Sequence, residues 1–424
     1  MTRMTDQGLK ARSGALIAGA FLTASVLGFV LLGVVARWLT QEQNAQFLAL
    51  WGLVFGVGSA LSAVEQEIVR VATNAHLDGV KVPGRALQVT GLAIGAATVV
   101  VACIVLLPGV GELLRDSVLV AGLVFVATGG FAVQCLTRAV LLGTGQVRAY
   151  VLVVILEAAL RLALVVGFVL FGVRPGLGLG VLVIVIGCFG WVPVIRRVTG
   201  SLTRDTSGSS LRSAGSAVGA LGLANGLQSL QVTAFPAVAS ALLGTSAAMA
   251  PLFGAVTLAR LPLVALAPVQ AMAVPVATRL IRTGRLDRLM NLVVRLSAGG
   301  FVCALLAVVG GVVLGPWALE LYMGEGYVVA GPVIGALLGA SCVLAVALLE
   351  VAALIALERY WTAVVVWLVA AVVLLITLAV LPLPPSERVA AGVVAAATTS
   401  WLAATSAVAH EARRRPRTDD GQTT

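Results

Sequence analysis

A chain of 424 residues that is 60% hydrophobic and 11% charged carries less than half the charge of an ordinary soluble domain. That excludes a large soluble core and implies many membrane-crossing helices. The net charge of +10 does not indicate a nucleic-acid partner, because the basic residues lie in short segments between apolar runs. Five cysteines (Cys103, Cys135, Cys188, Cys303 and Cys342) sit inside apolar runs, and only two histidines are present, so neither a disulfide framework nor a metal centre is expected.

At about 20 apolar residues per crossing, twelve spans are predicted: 14–36, 46–64, 86–108, 118–137, 149–173, 175–195, 213–243, 247–278, 290–315, 329–357, 361–382 and 389–409. The first follows a basic segment, as a signal peptide would, but its apolar run is too long for one. The polar stretch "RRVTGSLTRDTSGSSLR" reads as a flexible linker. It divides the chain into a six-helix bundle over 1–195, the linker 196–212, a second six-helix bundle over 213–410 and a disordered tail over 411–424. Both halves start on the same side, so a repeat would be parallel. A faint echo between "LTQEQNAQFLALWGLV" (39–54) and "LGTSAAMAPLFGAV" (243–256) fits that.

With the N-terminus cytoplasmic, the inner segments hold 21 Lys and Arg, the outer loops hold four, and Arg161, Arg260 and Arg295 fall inside spans. This asymmetry predicts a multi-pass protein with both termini in the cytoplasm. The Ala, Val and Arg bias, with only two lysines, suggests a GC-rich bacterial genome, hence the bacterial cytoplasmic membrane. Many aromatic residues, Trp38, Tyr150 and Trp361 among them, fall near span ends where such rings anchor. Trp51, Trp367 and Trp401 do not.

Charges inside spans cost about 2.5–3.5 kcal/mol each on insertion scales, so each is a functional candidate. Glu157 and Arg161 stand four apart in the favourable order for an ion pair; the alternative is a ligand or coupling role. Arg260 lies in "LARLPLVALAPVQAMAVPVATRL", a span broken by three prolines. It sits too deep for easy snorkelling, which favours a role facing a cavity. Glu350, late in the tenth span, is either a proton site or the partner of an arginine on another helix. Asn225, Gln228, Ser229 and Thr233 share one face of the seventh span, either to bond a neighbouring helix or to line a pathway. Glu65, Glu67 and Arg70 close the second span as a charged cluster, read as salt bridges or as a gate. The arginines 279, 282, 285 and 288, at steps of three, carry the positive-inside bias or form a basic surface helix. No P-loop pattern, large outer loop or paired-acid motif is present, which argues against an ATP-driven mechanism and against a glycan polymerase or glycosyltransferase. No enzyme activity and no cofactor are expected.

Three stretches, "ARWLTQEQNAQFLALWGLVFGVGSALSAVEQEIVR" (36–70), the proline-broken segment 258–280 and "LYMGEGYVVAGPVIGALL" (321–338), together with the six-plus-six layout, resemble the polysaccharide-transporter or O-antigen flippase (Wzx-like) branch of the multidrug/oligosaccharidyl-lipid/polysaccharide exporter superfamily. The resemblance implies a MATE-like, all-α fold of two bundles around a central cavity. It also implies alternating access and a polyprenyl-diphosphate-linked oligosaccharide, a precursor of a surface polysaccharide, as cargo. Under it, Arg260 and then Arg161 are the positions for the diphosphate, and arginine's fixed charge and planar donor fork suit that role. Asn225 and Gln228 join them as cavity residues. Expected partners are this lipid-linked glycan, membrane lipids, H+ or Na+ as coupling ion, and glycan polymerase or ligase machinery around a monomer. The drug-exporter branch, whose acids lie in the N-terminal half, is the alternative. The first span here carries no acid, and Glu157 has Arg161 beside it.

Overall fold

The computed structural model describes residues 2–203, 211–283 and 285–414. In chain order the helices are α1 (Thr2–Trp38), α2 (Gln41–Leu77), α3 (Arg85–Ile104), α4 (Val110–Asp116), α5 (Val118–Gly143), α6 (Val147–Leu170), α7 (Leu177–Gly187) and α8 (Ile195–Ser201). They continue with α9 (Leu211–Val232), α10 (Phe235–Leu243), α11 (Met249–Leu258), α12 (Leu261–Ala265), α13 (Ala267–Arg282), α14 (Leu286–Met323), α15 (Gly331–Ala356), α16 (Tyr360–Val380) and α17 (Pro385–Arg414). Among the described residues there is no β-strand, only one isolated bridge between Val82 and Leu202.

Each of the twelve predicted apolar runs falls on helix, but not every run is one straight helix. Among the described residues ten helices are long and apolar enough to cross a membrane, and eleven with the α9–α10 pair, which bends by 66°. Pro236 lies in the first turn of α10, and a proline lacks the N–H that would continue the helix before it. The expected eighth span is three pieces, α11, α12 and α13, and the last two each carry a proline in the first turn. It is not a continuous crossing helix, and the prolines seen in the sequence are the physical reason.

The chain packs as two compact units. The first is Met1–Phe253 with Tyr322–Glu325, and the second is Gly254–Leu321 with Gly326–Thr424. The first unit therefore takes in α9 and α10, beyond the linker at 196–212. Its spine is α2. Thr40 opens that helix with a reciprocal cap: its hydroxyl accepts from the Gln43 N–H while the Gln43 side chain accepts from the Thr40 N–H, both at 3.3 Å. Such caps contribute about 1 kcal/mol. At 37 residues, α2 is about 55 Å long, so it outruns a hydrocarbon core of about 30 Å and carries Glu65, Glu67 and Arg70 on its last third. Asn225 of α9 donates to Ser62 Oγ of α2 at 2.9 Å, and Thr233 meets Ser59 at 3.2 Å. These two members of the polar stripe thus bond to a neighbouring helix. Gln228 is half-buried on the same helix. Tyr322 belongs with this unit because its hydroxyl donates to the Phe29 carbonyl at 2.8 Å and its own carbonyl accepts from Arg37 at 2.7 Å.

In the second unit α15 is the buried element. Gly331, Gly335 and Gly339 stand four apart and face α14: a Cβ at Gly335 would lie 2.6 Å from the Val308 carbonyl oxygen, and one at Gly339 2.6 Å from the Val308 side chain. Small residues at this spacing let two backbones approach where lipid gives no hydrophobic drive for helix association.

Candidate functional site

Four charged side chains converge inside the first unit. Arg161 and Glu157, one turn apart on α6, pair at 2.9 Å. Arg138 of α5 bridges two acids, Glu157 at 3.3 Å and Glu65 of α2 at 2.7 Å. Gln134, one turn before Arg138, also donates to Glu157. All four charged groups are shielded; the side chains of Arg161 and Glu157 are 4% and 11% exposed. Two arginines against two acids make the cluster neutral, which is what allows it to exist among membrane-length helices.

The rest of the Arg161 guanidinium is engaged as well. Its Nε donates to the Ile184 carbonyl of α7 at 3.3 Å, and its carbon lies 5.6 Å from the centre of the Trp51 ring and 5.0 Å from that of Phe55. Those two rings stack on each other along α2 at 4.3 Å. Arg138 lies over Phe131 at 5.7 Å. Two glycines make the room. A Cβ at Gly187 would fall onto the Arg161 guanidinium, and one at Gly190 would come within 3.0 Å of the Glu157 backbone nitrogen. Beside the cluster lies a cavity of about 250 Å³, with Arg138, Glu157 and Arg161 as its charged lining and Phe21, Trp51 and Phe55 among its aromatic walls.

The sequence expectations fare unevenly here. Glu157 and Arg161 are paired, as their spacing indicates. Glu65 leaves the expected cluster with Glu67 and Arg70 and turns to Arg138. Arg70 alone holds Glu67, through two bonds of 2.8 and 2.7 Å, with its side chain 59% exposed. Two residues along a helix is a rotation of 200°, so Glu65 and Glu67 cannot share a face. Arg138, one of the 21 Lys and Arg that the sequence reading assigns to inner segments, is a correction. It lies five residues inside the end of α5 and is part of the buried cluster. The signal for it was present in Gln134 and Arg138, one turn apart, followed by the Gly143–Gln146 turn that ends the helix.

Arg260 and Glu350 lie in the second unit. Arg260 is half-buried at the break between α11 and α12, where its carbonyl accepts from the Val264 N–H at 3.1 Å. Glu350 is 1% exposed and is met by hydroxyls rather than by an arginine: Ser297 at 2.8 Å and Thr405 at 2.7 Å. Arg295 is exposed. Among the described residues no group of three or more His, Cys, Asp or Glu side chains is placed to hold a metal ion.

No family model matches this chain, and no curated protein does. Solved structures do. The chain superposes on a multidrug resistance MATE family transporter of the MOP superfamily in its inward-facing conformation with a TM-score of 0.65 at 14% identity, over 94% of this chain and 100% of that one. The Vibrio cholerae MATE transporter VcmN in the bent form gives 0.58 at 16% identity, over 96% and 99%. An outward-facing MATE transporter of the MOP superfamily gives 0.57 at 13%, over 95% and 97%. The fold is therefore the all-helical MATE fold, over nearly the whole chain.

Proposed function

We propose that the protein is a membrane exporter working by alternating access, and that its cargo is a polyprenyl-diphosphate-linked oligosaccharide moved from the inner to the outer leaflet. The MATE fold supports the first part, since solved relatives of this fold are transporters found in both inward-facing and outward-facing conformations. The observation that carries the second is the charged cavity of the first unit. Both oxygens of its one carboxylate, Glu157, are occupied by donors from Arg138, Arg161 and Gln134. A cationic drug would have to strip two arginines from that acid. A diphosphate competes with the acid for the same guanidinium donors, and its charge and planar recognition suit them. Trp51, Phe55 and Phe21 offer flat apolar faces beside that charge. Arg260 is a second anion ligand in this reading, and the chain lies in a bacterial cytoplasmic membrane with both termini inside.

Export of cationic drugs by the same fold is the competing reading, and two of the superposing structures are described as those of a multidrug resistance transporter. Proteoliposomes separate the two. A polyprenyl-diphosphate saccharide should become accessible to an external lectin in vesicles holding the protein. That access should be lost in Arg260→Ala, with insertion unchanged. Efflux of a cationic dye, without lectin access, would overturn the glycan reading and leave the exporter fold in place.

A further inference from the structure

A second cavity of the first unit has no part in the charged cluster. It holds about 440 Å³, inside the range of roughly 300–1,000 Å³ that ligand pockets occupy. Helices α3 and α9 each pack on α2 and leave the cavity between them, and α10 completes its wall. Gly56 and Ala60 of α2 and Gly222 and Gly226 of α9 line it and put no bulk into it. Its one polar side chain is Ser229, whose hydroxyl donates to the Gly226 carbonyl at 2.6 Å. A buried water needs about two to four polar partners, so this space does not hold water. Leu223 of α9 and Val100 of α3 are exposed members of the lining. The cavity therefore opens sideways along membrane-length helices, towards hydrocarbon.

The end of the cavity at the α3–α4 turn carries charge. Leu107 and Val110 line it there. Arg115 of α4 donates through Nη1 to the Leu107 carbonyl at 3.2 Å and to the Val105 carbonyl as well. Its Nη2 lies 3.9 Å from Glu112, a loose pair in which both side chains are exposed. Asp116, on the same helix, is exposed too. One cation and two acids at the mouth of an apolar slot match a zwitterionic amphiphile. The guanidinium suits a phosphate, and the acids suit an ammonium.

We propose that this cavity is a phospholipid site. One acyl chain of a bilayer lipid lies between α3 and α9, and the phosphate and amine of its headgroup rest on α4. The length fits. From Gly222 to Leu230 the cavity follows α9 for about 12 Å, and the hydrocarbon of one leaflet is about 15 Å deep. A polyprenyl diphosphate suits this rim less, because its head carries only negative charge and would face two acids. The cavity also touches both arms of the 66° bend between α9 and α10, so a chain seated in it supports that bend. The site does not depend on what the protein exports.

Photo-crosslinking of the full-length chain in lipid nanodiscs tests this. The probe is phosphatidylethanolamine with a diazirine in its acyl chain, and adducts are mapped by peptide mass spectrometry. Val100, Leu223 and Val238 should carry adducts well above those on the exposed Leu306 of α14 and Val365 of α16. Unlabelled phosphatidylethanolamine should suppress these adducts about fivefold better than phosphatidylglycerol, the worth of one charge contact at a membrane surface. Glu112→Gln with Asp116→Asn should keep the adducts and erase that preference; a preference that survives overturns the headgroup assignment. Gly226→Phe should remove the adducts. A Cβ there meets only the Ala60 Cβ, at 3.6 Å, an ordinary contact that leaves the ring to enter the cavity. Equal labelling of all these helices overturns the proposal. So does a polyprenyl-diphosphate saccharide that competes better than phosphatidylethanolamine, which would give the cavity to the cargo and leave the exporter reading intact. Should Gly226→Phe not fold, competition in the unmodified chain decides, and adducts that unlabelled phosphatidylethanolamine does not suppress overturn the site.

Discussion

Glu157→Gln and Arg161→Met, singly and together, probe the charged cluster directly. Removing one partner of a buried ion pair costs about 3–5 kcal/mol, because the other charge is left buried. Glu157→Gln strands Arg161, whose side chain is 4% exposed; the Ile184 carbonyl and the two aromatic faces remain, and the cost should be about 3–4 kcal/mol. Arg161→Met leaves Glu157 with Arg138 and Gln134, so the cost should be lower, about 2–3 kcal/mol. The double variant removes one charge of each sign and leaves the 2.7 Å pair of Arg138 with Glu65 intact. It should lie within about 2 kcal/mol of the unmodified chain, a coupling of about 3 kcal/mol or more, at the upper end for residues in contact. The assay is the unfolding free energy in mixed micelles. A double variant as unstable as the sum of the two singles would refute the pairing.

Further outcomes follow from the same geometry. Gly187→Ala should cost about 1–3 kcal/mol by overpacking against the Arg161 guanidinium, and much of that cost should vanish in an Arg161→Met background, read in the same unfolding assay. Gly335→Leu should cost at least as much by forcing α15 off Val308, and should reduce the yield of monodisperse protein. Arg70→Ala should cost about 0.5–1 kcal/mol, since Arg70 is 59% exposed although its partner Glu67 is only 12% exposed, while Arg138→Ala, in which both partners are shielded, should cost about 3 kcal/mol. A cysteine at the exposed Lys81, in a chain whose own exposed cysteines are replaced, should react with an impermeant maleimide only after cells are opened. Labelling of intact cells would reverse the proposed orientation.

The span pattern was legible because a membrane helix announces itself by length and hydropathy alone. All twelve runs reached helices, and the three that broke, between α7 and α8, at α9–α10 and across α11 to α13, carried their prolines in plain sight. The charged site was legible only where it was local. Glu157 and Arg161 share one helix face, so spacing revealed them. Arg138 was misplaced because the apolar window closes at 137, one residue before it, although the helix runs on to Gly143. Its link to Glu65 spans 73 positions, and the contacts of Glu350 with Ser297 and Thr405 span 53 and 55; no local pattern encodes such pairings. Trp51 and Trp401 gave a hint in retrospect. Neither stands where an interfacial anchor belongs, and each sits in an interior polar site.

The central claim, a lipid-linked glycan as cargo, is most directly tested by mass spectrometry of lipid that copurifies with the chain in mild detergent. The account predicts a polyprenyl-diphosphate saccharide bound to the unmodified protein and absent from Arg260→Ala and from the Arg161→Met variant. A protein that carries no such lipid, but binds cationic dyes in a manner requiring Glu157, would contradict it.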